Sequence, residues 1–487
     1  MNLKVISRNV GFALLVSALF MFLSIIVCIS NPTHNDSALA AFIISFTITF
    51  LVGVFPFIFV RKNETISLQD GYMIIALSWL LSFIFGMLPY ALWGGPFSVV
   101  NAWFESVSGF TTTGATILTD IENVPKSLLF WRSSTHFIGG LGVVVFLLLI
   151  IPSSSPIRLR LTNMELSSLS REGYKSRANK TVFIFASVYL GMTVAATLAY
   201  MICGMSFFDA INHSFSVVAT GGFSTKNLSI SQFHSVPIDI VTIIFMVLSS
   251  IHFGLIFMAV VTHSFKPLNN PVIKYYLASL IVVAAIMSVI LKSTGNADTW
   301  GTSILYSFFQ TASMSSTTGY ALADNSRWPL YVSFPLLLIM IQCGCAGSTA
   351  GGVKCDRTVV LFKAIGRQIR TVIHPNSVRE IKLGNHVIKD DLVYQSALYI
   401  SLYMIIMVVS AGLLLLGGVE PDNALVVSIS SLGNVGPGVT SLGTMGSYVG
   451  LSVFAKFVMT LEMFLGRVEI YPILAAISLM FNMKSTR

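Results

Sequence analysis

The stretch FESVSGFTTTGAT, Phe104 to Thr116, decides the fold, because looser copies of it return three times: SFSVVATGGFST from Ser214 to Thr225, SMSSTTGYA from Ser313 to Ala321 and SLGNVGPGV from Ser431 to Val439. Each copy is a short amphipathic stretch ending in a small Thr/Gly-rich loop, with a long apolar run before and after it. Aligning the first glycine of each loop puts Gly114, Gly221, Gly319 and Gly436 in register, 107, 98 and 117 residues apart. Four near-equal periods imply four quasi-equivalent units around one axis.

The amphipathic stretches, Val99 to Phe110, Phe207 to Val218, Ser303 to Ser316 and Asn423 to Leu432, are too short to cross a bilayer and read as re-entrant helices. The flanking runs are long enough. They pair as Tyr72 to Trp93 with Leu128 to Ile151, Thr181 to Cys203 with Asp239 to Val261, Ile273 to Leu291 with Tyr331 to Ala364, and Leu392 to Gly417 with Tyr448 to Phe481. Two further runs without a loop, Asn9 to Ile29 and Ala38 to Val60, precede them, so ten spanning helices are expected. The first follows Lys4 and Arg8, is long and leads straight into the second with no small-residue cleavage site, which reads as a retained span.

Bulk composition agrees: of 487 residues 54% are hydrophobic and only 10% charged, with a mean hydropathy of +0.81, outside the balance of soluble domains. The fold class expected is an all-α polytopic membrane protein of four pseudo-repeats around a central pore plus two extra N-terminal helices. The units run 1–69 (extra helices), 70–152, 181–265, 266–365 and 392–487 (repeats one to four), with connectors at 153–180 and 366–391.

The net charge of +9 does not point to nucleic acid, because Lys and Arg sit in short connectors: Arg158, Arg160, Arg171, Lys175, Arg177 and Lys180 in one, Lys363, Arg367, Arg370, Arg379, Lys382 and Lys389 in another. By the positive-inside rule these face the cytoplasm, as do both termini. The five cysteines, Cys28, Cys203, Cys343, Cys345 and Cys355, lie in or beside spans. That excludes a secreted disulfide framework and leaves Cys343, Cys345 and Cys355 as buried thiols or a metal site lacking histidine.

Irregular backbone inside a bilayer costs several kcal/mol per unsatisfied group unless protein buries it or it lines water. One Thr/Gly loop is explained by a tight turn between helices. Four at matched spacing predict a lined path. Potassium selection needs rings of backbone carbonyls from four converging loops, which one chain with four repeats can supply. Glycine permits the backbone angles this requires, and the C-terminal ends of the re-entrant helices favour cations there.

These four loops resemble those of the Trk/Ktr/HKT superfamily of potassium transporters, and the similarity covers essentially the whole chain, including the extra helices that separate Trk pore subunits from shorter Ktr ones. The resemblance implies a filter at Thr111, Thr112, Thr113, Gly114, Ala219, Thr220, Gly221, Thr317, Thr318, Gly319, Asn434, Val435 and Gly436. Only the third loop then carries an aromatic, Tyr320, after its glycine, and Pro437 takes that place in the fourth. The expected filter is asymmetric and passes rubidium as well as potassium.

The run Gly344-Cys345-Ala346-Gly347-Ser348-Thr349-Ala350-Gly351-Gly352 breaks a span with four glycines. Small-residue helix packing accounts for such a run; the resemblance instead implies a gating loop under the filter. Arg467 interrupts the last span, where a charge costs at least about 2.5 kcal/mol. It either pairs with Glu469 or Glu462, snorkels to the interface or, as the resemblance implies, stands in the pore as a barrier. Lys354 reads as an interfacial anchor, and His136 and His252 as core histidines or proton-linked groups.

The resemblance further implies potassium uptake across a bacterial inner membrane by a homodimer on a ring of cytosolic TrkA-like regulatory subunits. These bind NADH/NAD or ATP/ADP, and the basic connectors would dock them. No nucleotide motif occurs here, so this chain holds potassium ions but no cofactor. A proton- or sodium-coupled symporter is the alternative. An intramembrane hydrolase is disfavoured, since no HExxH or GxSxG motif is present.

Overall fold

The computed structural model describes residues 2–30, 36–60, 67–150, 178–328, 330–376, 380–384, 386–439, 442 and 446–485. The connector at 153–180 therefore lies outside the described residues up to position 177, as does Arg379.

The apolar runs are helices, and their starts have local causes. Helices α1 (Leu3–Ile29) and α2 (Leu39–Phe59) pair with each other, and α1 also packs on α3 (Leu68–Gly86) and α6 (Lys126–Ile150), so the extra helices lean on the first repeat. A Ser67/Asp70 capping box opens α3, and a proline-started turn, α4 (Leu88–Trp93), extends it. The short amphipathic stretches are α5 (Val99–Phe110), α8 (Phe207–Ala219), α12 (Trp300–Ser315) and α16 (Pro421–Gly433). Ser98, Ser206 and Thr299 cap the first three, and Pro421 begins the fourth.

The remaining flanking helices are α7 (Ala178–Ile202), α9 (Val236–Ser249) with α10 (Phe253–Val261), α11 (Pro271–Ser293), α13 (Leu330–Gln342) with α14 (Cys355–Ile373), α15 (Asp390–Leu416), and α17 (Val453–Val468) with α18 (Ile470–Ser485). Among the described residues six helices are long and apolar enough to cross a membrane, or eight spans if each bent pair is one. The other two expected positions fall to α6 and to α13, which is too short to cross alone. Among the described residues one element breaks the helical pattern: Ile381–Leu383 and His386–Ile388 form a two-stranded antiparallel hairpin in the second connector.

Apolar side chains cover the outside as well as the core. Leu51, Phe55, Ile58, Ile405, Val408 and Leu416 are exposed, whereas Ser106, Ser108, Ser214, Ser216, Ser313, Ser315, Ser428 and Ser430 on the short helices are buried. Apolar outside and polar around the axis is the arrangement a bilayer selects.

The sequence marks one broken second helix, in the third repeat; the structure breaks all four. Helix α6 leaves helical geometry at Gly142 (φ 72°), α9 and α10 meet at 104°, α13 and α14 are separated by residues 343–354, and α17 and α18 meet at 108° across Glu469 (φ 65°). So Leu128 to Ile151, Asp239 to Val261 and Tyr448 to Phe481 are not continuous helices. Three residues before two of these breaks the backbones approach closely: a Cβ on Gly139 or Gly466 would overlap the carbonyl oxygen of Phe110 or Leu432, at the ends of short helices.

Candidate functional site

Each short helix ends in a loop with the same unusual backbone. Thr112, Thr220, Thr317 and Asn434 are left-handed, with φ of 52°, 57°, 60° and 54°; two residues later Gly114, Gly222, Gly319 and Gly436 have φ of 79°, 84°, 76° and 96°. A non-glycine residue held there costs about 1–3 kcal/mol and persists only when its surroundings over-determine it. Four in equivalent positions mark one shared construction.

This pattern moves the register of the second loop by one residue. Gly222, not Gly221, is the counterpart of Gly114, Gly319 and Gly436, which makes the spacings 108, 97 and 117. Gly221 stays in the loop as the counterpart of Thr113, Thr318 and Val435. Phe223 now follows the second glycine as Tyr320 follows the third, so two loops carry that aromatic, not one.

The four loops close into a ring. A Cβ on Gly114 would collide with the carbonyl oxygen of Gly221, one on Gly222 with that of Thr318, one on Gly319 with that of Val435, and one on Gly436 with that of Thr113. Each glycine thus touches the carbonyl before the next loop's glycine, and the fourth loop returns to the first. Thr111, Thr112, Thr113, Ala219, Thr220, Thr317, Thr318, Asn434 and Val435 are all buried around it. Asn434 Nδ2 donates to Thr113 Oγ1 at 3.1 Å and to Met463 O at 2.8 Å, linking the fourth loop to the first and to α17.

Tyrosines outside the ring hold its rim. Tyr448 Oη donates to Gly436 O at 2.8 Å while its backbone N–H donates to Thr116 O at 2.9 Å. Tyr320 Oη lies 3.2 Å from His213 O and 3.3 Å from Phe223 O. Above the ring opens a cavity of about 220 Å³ whose lining includes Gly114, Gly222, Gly319 and Pro437, one residue from each loop. Near this cavity in sequence, Asp120 accepts from Asn227 and Asn123, which holds its carboxyl below the ordinary carboxylate range.

The Gly344–Gly352 segment lies against the ring's other side. Thr349 Oγ1 donates to Val218 O at 2.9 Å, Gly351 N donates to Thr317 Oγ1 at 3.0 Å, and a Cβ on Gly351 would strike Gly433 O. The segment therefore touches the ends of α8, α12 and α16 together. It is also laced to the break of the second repeat: Cys345 N to Ser250 O at 2.9 Å, Phe253 N to Gly347 O at 2.9 Å and Thr349 N to Ser249 O at 3.3 Å. Lys354 caps it, its ammonium on Ala350 O, and Ala346 N donates to Asp356.

Arg467 meets this segment directly, with Nη1 2.6 Å from Thr349 O and Nη2 2.7 Å from Gly139 O. Of the two nearby acids in sequence, Glu469 receives Arg357 at 3.0 Å and Glu462 accepts from Ser428. Arg357 in turn lies 3.8 Å from the centre of the Tyr399 ring. His252 caps α10 at the second break, and His136 contacts Ser216 and stacks on Phe223. Among the described residues no group of three metal-ligating side chains occurs, the three cysteines included.

Gly222, Tyr448 and the links of Thr317 and Asn434 to neighbouring elements join the site only in the folded structure. Only the doubled glycine at 221 and 222 was a visible signal.

Comparison with known proteins matches the TrkH family, described as a cation transport protein, over residues 38–486. The Trk system potassium uptake protein TrkH of Salmonella typhimurium is 31% identical over 97% of this chain and 98% of its own, and that of Halomonas elongata is 32% identical with the same coverage. The crystal structure of the potassium transporter TrkH from Vibrio parahaemolyticus superposes with a TM-score of 0.86 at 29% identity, covering 97% of this chain and 98% of that one. With its sequence matched nearly end to end and its ring of four loops in place, this chain belongs to the TrkH family of cation transport proteins.

Proposed function

We propose that the chain is the pore subunit of a potassium uptake system of the bacterial inner membrane. Potassium ions pass along the axis of the four loops and contact the carbonyls of Thr112, Thr113, Thr220, Gly221, Thr317, Thr318, Asn434 and Val435, with Gly114, Gly222, Gly319 and Gly436 making the geometry possible. Rubidium follows the same path. The observation that carries this reading is the closed ring of glycine-to-carbonyl approaches between successive loops. No bond is made or broken; the work is done by replacing an ion's water shell with oxygens already in place.

The Gly344–Gly352 segment acts as the gate, and Arg467 as a positive barrier that fastens it closed. Support comes from the contact of that segment with three short-helix ends and with the guanidinium. The termini and basic connectors are cytoplasmic, two copies form a homodimer, and a TrkA-like nucleotide-binding subunit docks on the connectors and moves the gate. That partner is in keeping with relatives that are named as parts of a Trk system.

The test is flux of potassium, rubidium and sodium into liposomes holding the purified chain, under an imposed potential and without proton or sodium gradients. Potential-driven potassium and rubidium flux with little sodium supports the pore. Flux only with a proton or sodium gradient supports a coupled symporter instead. Glu462, a carboxylate buried in a span, is what favours that second reading.

A further inference from the structure

Beside the first two loops lies a buried ion pair whose arginine also borders the cavity above the ring. Glu105 on α5 is fully buried and Arg132 on α6 is 1% exposed; Arg132 Nε lies 2.8 Å from Glu105 Oε1. The carboxylate also receives Thr116 Oγ1 at 2.9 Å on one oxygen and Ile117 N at 3.1 Å on the other, so Glu105 grips the outer strand of the first loop. The guanidinium spreads across to the second: Nη2 reaches Thr116 Oγ1 at 3.2 Å, Nη1 reaches Ser224 O at 3.3 Å, and its plane lies 4.0 Å from the centre of the Phe223 ring. Phe223 is sandwiched from the other side by His136, 4.1 Å away at 16°, which is itself fixed to Ser216 at 3.0 Å.

Burying two charges confers little net stability, and apolar residues of the same volume serve the fold as well. What the pair supplies is geometry, because a planar guanidinium presents donors in a rigid fork that a lysine cannot copy. The partners of this fork are the second residue after Gly114 and the first and second residues after Gly222. The neighbouring junctions are held by neutral groups, Tyr320 between the second and third loops and Tyr448 between the fourth and first.

We propose that Glu105 and Arg132 are a positioning pair for ion selection: by clamping the outer strands of loops one and two at a fixed separation, they hold the carbonyl of Gly221 against Gly114. This rests on the reading of the loops as a cation filter. The pair does not touch the ion; it sets how far that side of the ring can relax around a smaller one.

The experiment measures potassium-to-sodium permeability ratios by bi-ionic reversal potentials in bilayers, with thermal midpoint recorded for every variant. Arg132→Lys keeps the charge but loses the fork and the ring contact, and is expected to lower the ratio about tenfold, the factor a charge-assisted hydrogen bond controls. Thr116→Val removes the hydroxyl shared by both charges and by Leu118 N, and is expected to shift the ratio the same way by a smaller factor. Should Arg132→Lys fail to fold, Thr116→Val decides alone. A parental ratio kept in the folded variants, whatever their midpoints, overturns the proposal and leaves the filter reading intact. A parent that does not distinguish the two ions overturns the filter reading first.

Discussion

Arg467 Nη1 donates to the carbonyl of Thr349 at 2.6 Å, so the guanidinium of the fourth repeat is fastened to the glycine-rich segment of the third. The same side chain holds Gly139 in the first repeat, and Thr349 itself holds Val218 and Ser249 in the second. All four repeats meet at this one contact.

Replacing Arg467 by alanine removes both the positive charge and the fastening. Potassium flux through the reconstituted protein is expected to rise on the order of tenfold, the factor that a charge-assisted hydrogen bond corresponds to. A folded Arg467→Ala variant no faster than its parent assigns the arginine to packing alone.

Deleting residues 346–352 takes away the segment that Arg467 holds. Basal flux is expected to increase without loss of potassium preference, because the ring of loops is built by other residues. Lower flux from correctly inserted protein identifies the segment as a support of the ring instead of a gate.

Serine at Gly114, Gly222, Gly319 or Gly436 places a Cβ against a neighbouring loop's carbonyl and forces an unfavourable φ. Each variant is expected to admit more sodium relative to potassium in a competition flux assay. If all four keep the parental preference, the ring does not select ions.

Arg357→Gln leaves Glu469 buried without its ionic partner at the break between α17 and α18. Breaking a buried pair from one side costs about 3–5 kcal/mol. A clear fall in the thermal midpoint, followed by size-exclusion chromatography in detergent, is the expected result, and an unchanged midpoint shows the pair to be dispensable.

The repeats were legible because loops with Thr and Gly recur after amphipathic stretches, a signal that survives drift in any one copy. The register of the second loop was not, since Gly221 and Gly222 are adjacent and only backbone angle separates them. The breaks at Gly142 and Glu469 were hidden for a related reason: nothing in a left-handed glutamate's neighbours announces it. The pairs Glu105–Arg132 and Arg357–Glu469 join residues 27 and 112 apart, distances at which sequence alone names no partner. The Gly344–Gly352 segment was visible through its four glycines, but its contacts with Thr317 and Val218 belong to the tertiary fold.

The central claim is that four loops form one ring that holds cations. Anomalous scattering from crystals of the protein soaked in rubidium tests it most directly. Peaks on the axis, within coordination distance of the carbonyls of Thr113, Gly221, Thr318 and Val435, are the predicted result. Rubidium bound reproducibly away from that axis, with none inside the ring, would contradict it.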